Sequence, residues 1–151
     1  MSNAEAPLDP TKSTTTSTLR VRFCETDLMG IVHHATYLVY FEAGRVEWLR
    51  RRGITYADWV AKGMQVPVAT AELQYRSPSR FDDLLTIETT LAKVRAVSLD
   101  YTYRILRGAT LVAEGKTRLA CIDMSHKLLR IPDEIRETLM RGEIVGALPS
   151  D

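Results

Sequence analysis

The spacing of hydrophobic positions changes along the chain from the period of a strand to that of a helix. Between residues 19 and 24 every second side chain is apolar, which predicts a half-buried strand. From Ala35 to Arg52 apolar residues recur every three to four positions, which predicts one long helix. Three arginines and Gly53 end this helix, because cations suit the negative end of the helix dipole and glycine accepts the left-handed terminating conformation.

The rest of the chain is mostly strand-like. A short helix capped by Thr55 ends at Gly63, and four strands are predicted over residues 66–76, 84–94, 98–106 and 111–123. The connections are too short for crossover helices, so the strands run antiparallel. A terminal amphipathic helix is predicted from Pro132 to Arg141. Only the first helix can cover the sheet, so the pattern predicts an α+β fold in which a curved antiparallel sheet of about five strands wraps around one long central helix.

The length of 151 residues fits one domain and is short for two lobes with a cleft between them. Residues 1–18 contain few apolar side chains, and we expect them to form a disordered leader. Residues 19–145 are expected to form the domain, and residues 146–151 a short tail. An active site in so small a domain is expected to need a partner subunit.

Composition narrows the class of protein. No apolar run approaches the roughly 20 residues of a membrane span, and a net charge of +1 gives no reason to expect nucleic acid as a partner. Cys24 and Cys121 lie in strand-like apolar contexts, so we expect two buried free thiols. With no signal peptide pattern at the N-terminus, the sequence indicates a cytoplasmic protein.

Asp27 lies in the loop before the long helix, seven residues ahead of His34. The first N–H groups of a helix lack internal partners and can bind a carbonyl oxygen as it becomes anionic. A neighbouring carboxylate can attack that carbonyl or deprotonate water. The two features together are typical of acyl transfer. The alternative is that Asp27 only forms an Asx-turn towards Gly30, as Asp often does in loops.

The adjacent His33 and His34 cannot both face one ligand on a regular helix or strand, and the sequence contains no zinc-binding spacing, so we expect no metal site. A histidine here could cap the helix or lie at an interface. The functional alternative is that His34 positions substrate or water beside Asp27. No serine or cysteine lies in a nucleophile-elbow motif, and Gly115 and Lys116 lack the spacing of a phosphate-binding loop.

The stretch "TDLMGIVHHATY", residues 26–37, and the following "YFEAGRVEWLR" resemble the signature of the 4-hydroxybenzoyl-CoA and YbgC-like thioesterases, which have the hotdog fold. A looser similarity extends over residues 19–139. The resemblance implies that Asp27 is the catalytic carboxylate and that the backbone N–H of His34 polarises the thioester carbonyl. It also implies that the His34 side chain orients water or the carboxylate, and that Gly30 permits the tight loop between them.

Two residues depart from the family pattern. His33 stands where an aromatic residue such as Tyr is usual, and Asp82 stands where Gly is common. The resemblance further implies an active site between two subunits, hence a homodimer, and a homotetramer formed by two dimers.

The implied reaction is hydrolysis of an acyl-CoA thioester to a carboxylate and free CoA, without a metal or organic cofactor. Asp27 acts as nucleophile or as general base. Arg95, Lys127 and Arg130, near strand ends, are candidates for binding the CoA phosphates. The alternatives are a thioesterase acting on acyl carrier protein and a binding protein that leaves the thioester intact. A hydratase of the same fold would need a different histidine motif, which the sequence lacks.

Overall fold

The computed structural model describes residues 13–142 and 144, and its frame is a five-stranded antiparallel sheet. The strands are β1 (Thr14–Arg20), β2 (Val68–Tyr75), β3 (Leu84–Val94), β4 (Ser98–Arg107) and β5 (Thr110–Ala120). Their order across the sheet is β1-β3-β4-β5-β2. β1 and β2 are therefore the two edges of the sheet.

Three helices accompany the sheet: α1 (Thr36–Arg50), α2 (Tyr56–Ala61) and α3 (Asp133–Arg141). The buried face of α1 supplies much of the core; the helix lies against β1 and β3, and its aromatic side chains reach β4. Phe41 stacks on Tyr103 with ring centroids 4.1 Å apart, and Trp48 meets Tyr101 edge to face at 5.5 Å. Aromatic pairs of this kind hold the helix in one position across the sheet. None of the helices in the described residues is long and apolar enough to cross a membrane.

Two glycines let backbone and side chains approach closely at this helix–sheet contact. A β-carbon on Gly44 of α1 would overlap the Thr89 hydroxyl of β3 and lie 3.0 Å from the Ile87 Cγ2. A β-carbon on Gly115 of β5 would overlap the Glu72 carbonyl oxygen and lie 2.8 Å from the Phe41 ring. Neither position has room for a side chain, so both glycines are required by packing.

The first strand begins earlier in the chain than the sequence pattern predicts. Residues 14–18, which we assigned to the disordered leader, lie in β1 and pair with β3 from Thr90 to Thr86. This segment of Thr and Ser shows no apolar alternation, but β-branched Thr suits a strand that can pair with a long neighbour. The strand ends at Arg20, and residues 23–25 form a 3₁₀ turn instead of continuing it.

The two cysteines differ from each other. Cys121 is buried as predicted, and burial raises the pKa of its thiol to about 11. Cys24 is exposed, so the prediction of a buried thiol was wrong there, because the residue lies in the turn and not in a strand. The other helices and strands begin and end within about three residues of their predicted positions. The remainder of the predicted leader, residues 1–12, and the predicted tail lie outside the described residues.

Candidate active site

A tight loop carries Asp27 between β1 and α1. The Asp27 N–H donates to the Ile31 carbonyl at 2.9 Å, and the Gly30 N–H donates to the Asp27 carbonyl at 2.9 Å. Gly30 has φ +74°, a left-handed conformation that favours glycine. The loop therefore depends on Gly30, as the family resemblance implied.

The Asp27 carboxylate forms the Asx-turn that we held as the alternative to catalysis. Its Oδ1 accepts a hydrogen bond of 2.8 Å from the Met29 N–H. Within the described residues no donor bonds the second oxygen, Oδ2. Oδ1 thus stabilises the loop, and Oδ2 is available to react. Asp27 can therefore form the Asx-turn and act as a catalytic carboxylate at the same time.

Glu25 anchors the loop from behind. It is 9% exposed, and its Oε1 accepts hydrogen bonds from the Tyr40 hydroxyl at 3.0 Å and the Arg22 N–H at 2.7 Å. Its carbonyl accepts the His33 N–H at 2.9 Å. Burial is the main cause, and the hydrogen bond to Glu25 the second, of a Tyr40 pKa that lies well above its ordinary value. The Tyr40 hydroxyl therefore stays protonated and donates to Glu25. These contacts join the start of α1 to the loop that carries Asp27.

His33 caps the helix. Its Nδ1 accepts a hydrogen bond of 3.1 Å from the Ala35 N–H, and its carbonyl accepts the Thr36 N–H at 2.9 Å. His33 thus satisfies two N–H groups at the start of the helix, whereas the N–H of His34 has no acceptor in the described part of the chain. This N–H lies at the positive end of the α1 dipole, where negative charge is stabilised.

Tyr75, at the end of the edge strand β2, holds the same segment from the other side. Its hydroxyl donates to the His34 carbonyl at 3.0 Å, and its ring meets that of Tyr37 edge to face at 5.7 Å. The hydrogen bond fixes the orientation of the peptide between His34 and Ala35. Tyr75 is still 51% exposed, so part of its ring is free to contact another molecule.

A cavity of about 410 Å³ lies between the loop, the start of α1 and the end of β2. Its lining residues are Asp27, Met29, Ile31, Val32, His34, Tyr37, Tyr75, Arg76, Ser77 and Pro78. Most of these side chains are apolar, as expected for an acyl group, and the polar residues besides the two tyrosines are Asp27, His34, Arg76 and Ser77. A free carboxylate oxygen and a free helix N–H in one apolar cavity are the groups required for acyl transfer.

The structure brings together three of the residues selected from sequence and separates the others. Asp27 and His34 line one cavity, and Gly30 shapes the turn between them. The three cations proposed for CoA lie at the opposite end of the sheet. Arg95 follows Val94, and the strand register aligns Val94 with Leu99, Leu119 and Val68, at the end of β2 far from Tyr75. Arg95 also forms an ion pair of 3.0 Å with Asp100, whereas Lys127 and Arg130 are exposed.

Comparison with known proteins identifies the family. The model of the thioesterase-like superfamily matches residues 21–139. The acyl-CoA thioester hydrolase YbgC of Escherichia coli O6:H1 is 33% identical over 106 residues, which cover 70% of this chain and 79% of YbgC. The chain belongs to the YbgC-like hotdog thioesterase family. The prediction of a thioester hydrolase is thereby confirmed.

Solved structures support the fold of this YbgC-like thioesterase. Protein TT1821 of Thermus thermophilus is 40% identical with a TM-score of 0.78, and the match covers 82% of this chain and 95% of that one. A 1,4-dihydroxy-2-naphthoyl-CoA thioesterase of Synechocystis, Slr0204, has a TM-score of 0.77 at 22% identity, over 83% of this chain and 95% of that one. The second likeness concerns the fold alone. The predicted hotdog fold is confirmed.

Sequence reasoning missed several residues around the site of this YbgC-like protein. Tyr75 lies 41 residues from His34, and nothing local indicates their contact. Glu25 was part of a segment read only as a turn, although its buried carboxylate holds the loop. Asp82, a departure from the family pattern, has φ +68°, the conformation in which glycine is favoured and Asp is tolerated.

Proposed function

We propose that the protein is an acyl-CoA thioesterase that hydrolyses an acyl-CoA to a carboxylate and free CoA, with Asp27 as its catalytic residue. The observation that carries the proposal is that one mostly apolar cavity is lined both by Asp27, whose Oδ2 accepts no hydrogen bond from the described residues, and by His34, whose N–H has no acceptor among them. The names of the relatives support the substrate class. The free thiols of Cys24 and Cys121 are in keeping with a cytoplasmic setting.

The proposed reaction places the thioester carbonyl oxygen on the His34 N–H. As the carbonyl carbon becomes tetrahedral, its oxygen gains negative charge, which the N–H and the α1 dipole stabilise. In one route Asp27 attacks the carbon, CoA leaves as thiolate and takes up a proton, and water then hydrolyses the mixed anhydride. In the other route Asp27 removes a proton from water as the water attacks the carbon, and the tetrahedral intermediate then expels CoA as thiolate, which takes up a proton. We propose that the His34 imidazole, which is exposed and lines the same cavity, orients that water.

We further propose that neither route uses a metal or an organic cofactor. In the described residues no group of three metal-binding side chains comes together, and the proposed chemistry is complete with Asp27, the helix N–H and water. We expect dialysis against EDTA to leave the rate of thiol release unchanged. A loss of rate that added divalent metal restores would contradict this part of the proposal.

The exposed edge of the sheet supports a dimer. Along β2 only Leu73 is partly buried, and Val68 and Tyr75 at its two ends are 46% and 51% exposed. An uncovered apolar edge strand is a template for pairing with another chain. If two copies of β2 pair about a two-fold axis they run antiparallel, so the Val68 end of one lies against the Tyr75 end of the other. We propose this pairing as the dimer interface, with two dimers forming a tetramer.

This dimer would also explain the positions of the cations. Arg95, Lys127 and Arg130 lie at the Val68 end of the sheet, which the two-fold places near the Asp27 cavity of the partner. We propose that they bind CoA phosphates there, across the subunit boundary.

An assay of thiol release against a panel of acyl-CoAs tests the function. The panel contains straight-chain and aromatic acyl groups, each presented on CoA and on acyl carrier protein. We expect hydrolysis of CoA esters. Turnover of carrier-bound esters alone would favour a carrier-protein thioesterase, and binding of CoA esters without hydrolysis would show a binding protein; either result would contradict the proposal.

A charge in the middle of β2 tests the interface. Ala71 is exposed, and near a two-fold axis it would face its own copy. We expect light scattering to give a multiple of 17.0 kDa for the wild type and a mass no more than half of it for Ala71→Asp, with loss of hydrolysis. Thr102→Asp, an exposed position on the central strand β4, serves as the control and should change neither property. A fully active wild-type monomer would rule out the proposed interface.

A further inference from the structure

Arg45 is a buried cation without an anionic partner. Its side chain lies on α1 and is 5% exposed. Its Nη1 donates to the Tyr103 hydroxyl at 3.1 Å, while its Nε has no hydrogen-bond partner. No carboxylate in the described part of the chain lies within ion-pairing distance of it. A buried charge normally requires a counter-charge and full hydrogen bonding, so this guanidinium is incompletely satisfied.

The same side chain lines a second cavity, of about 690 Å³. The walls are mostly apolar. They are formed by Tyr56, Val60, Met64, Val66, Pro67, Val68 and Ile122, with Glu42, Gln65 and His126 as further polar residues. A large apolar cavity with one buried cation suits a ligand that has a hydrocarbon body and a single anionic group.

Arg52, the other buried arginine of this region, shows what a structural arginine looks like here. Its Nη1 donates to the Thr15 hydroxyl and to the Trp48 carbonyl, at 2.6 and 2.9 Å, and its guanidinium lies 3.7 Å from the centroid of the Trp48 ring. It does not line the cavity. Arg45 is hydrogen-bonded to the Tyr103 hydroxyl instead, and its side chain lines the cavity.

The position of this cavity links it to the Asp27 site of a partner. Val68 lines the Arg45 cavity and Tyr75 lines the Asp27 cavity, so within one chain the two cavities lie at opposite ends of β2, about 23 Å apart at the rise of a strand. The two-fold pairing of β2 places the Val68 end of one subunit against the Tyr75 end of the other. The Arg45 cavity would then continue the Asp27 cavity of the partner.

We propose that Arg45 binds a carboxylate at the far end of the acyl group, so that the substrate class is the CoA monothioester of a dicarboxylic acid. This inference rests on the proposed function and on the β2 interface. The planar guanidinium offers two parallel donors, which match a carboxylate. The apolar walls would hold the methylene chain between the thioester and the carboxylate.

Electrostatics support the assignment to Arg45. Burial lowers the pKa of its guanidinium, but the Tyr103 and Tyr56 hydroxyls outweigh burial and raise that pKa, so the side chain remains charged. Glu42 also lines the cavity and is exposed. The Glu42 carboxylate repels an incoming carboxylate, so removing its charge should strengthen binding of a dicarboxylic ester, the opposite of the effect expected at Arg45. Because Glu42 is exposed, its substitution should not disturb folding.

The test compares two CoA esters of equal chain length, glutaryl-CoA and pentanoyl-CoA. Dissociation constants are measured on Asp27→Asn, where bound ester is not consumed, and the readout is the ratio of the two affinities. We expect the parent to favour glutaryl-CoA, and Arg45→Met to reduce that ratio by about tenfold or more. Arg45→Lys should reduce it less, because the charge is kept, and Glu42→Gln should raise it.

Arg104→Met, an exposed position on β4, is the matched control and should leave the ratio unchanged. A ratio that is insensitive to both Arg45→Met and Glu42→Gln, or a parent that favours pentanoyl-CoA, would overturn the proposal while leaving thioesterase activity intact. If Arg45→Met does not fold, Glu42→Gln alone decides the outcome by the direction of its effect. If the proposed function is wrong, the wild type will hydrolyse no acyl-CoA. The ratio of binding affinities does not depend on hydrolysis, so the two failures can be told apart.

Discussion

Replacing Asp27 with Asn is expected to lower kcat for acyl-CoA hydrolysis by about 10³-fold, within the range that general acid–base catalysis supplies. The amide is neither a nucleophile nor a base for water. It keeps an oxygen in the position of Oδ1, which accepts the Met29 N–H, so the loop should keep its conformation. The change therefore removes the chemistry and retains the turn.

Three measurements separate the chemical role from a structural one. Thermal unfolding of Asp27→Asn should match the wild type, and binding of an acyl-CoA should persist. Asp27→Ala should lose both activity and some stability, because it also removes the turn acceptor. Asp82→Asn, at a left-handed turn position that Asn tolerates, is the control and should remain fully active. Activity of Asp27→Asn within a few-fold of wild type would contradict the catalytic assignment.

The same residue can distinguish the two routes of hydrolysis. In a single turnover in ¹⁸O-water, attack of water on the aspartyl carbon of a mixed anhydride would place the label in Asp27. If Asp27 acts only as a base, all of the label enters the product carboxylate. Mass analysis of the peptide containing Asp27 therefore tests the nucleophilic route, provided that water attacks the aspartyl side of the anhydride.

The parts of the fold that could be predicted are those governed by local period. The change from alternation to helical spacing located α1, and short Gly- or Pro-containing breaks located the strands of the meander. β1 was placed too late because its Thr and Ser side chains form no apolar pattern. It becomes a strand through pairing with β3, and such long-range pairing leaves no trace in the local sequence.

The residues of the site also divide into those that the local sequence predicts and those that it does not. Asp27 and the start of α1 are close in sequence, so their proximity could be inferred from the loop between them. Tyr75 and Arg45 could not be placed, since their significance depends on contacts with distant residues. In the sequence, Arg45 lies in the same helical row as Phe41 and Leu49, and nothing there distinguishes it from the other positions of the helix. Its buried and incompletely bonded state appears only once Tyr103 is packed against it.

Replacement of Gly44 with Ala is expected to destabilise the protein by about 2 kcal/mol, the middle of the range for overpacking a core. Helix propensity alone predicts the opposite, because Ala is favoured over Gly by about 1 kcal/mol inside a helix. The steric effect should prevail because the added methyl group would overlap the Thr89 hydroxyl and lie 3.0 Å from Ile87. Urea unfolding of Gly44→Ala against wild type measures the difference.

Thr89 provides the compensating change for this prediction. Its buried hydroxyl has no hydrogen-bond partner in the described residues, so Thr89→Ala alone should cost little. In the double variant the β-carbon at position 44 would no longer meet an oxygen, and we expect Gly44→Ala to cost about 1 kcal/mol less there than in the wild-type background, a coupling typical of residues in contact. Equal costs in the two backgrounds, or a Gly44→Ala protein more stable than wild type, would mean that α1 does not require a glycine to reach the sheet. Because the depth of α1 also sets the position of its first N–H groups, loss of close packing at Gly44 should lower kcat through the His34 N–H as well.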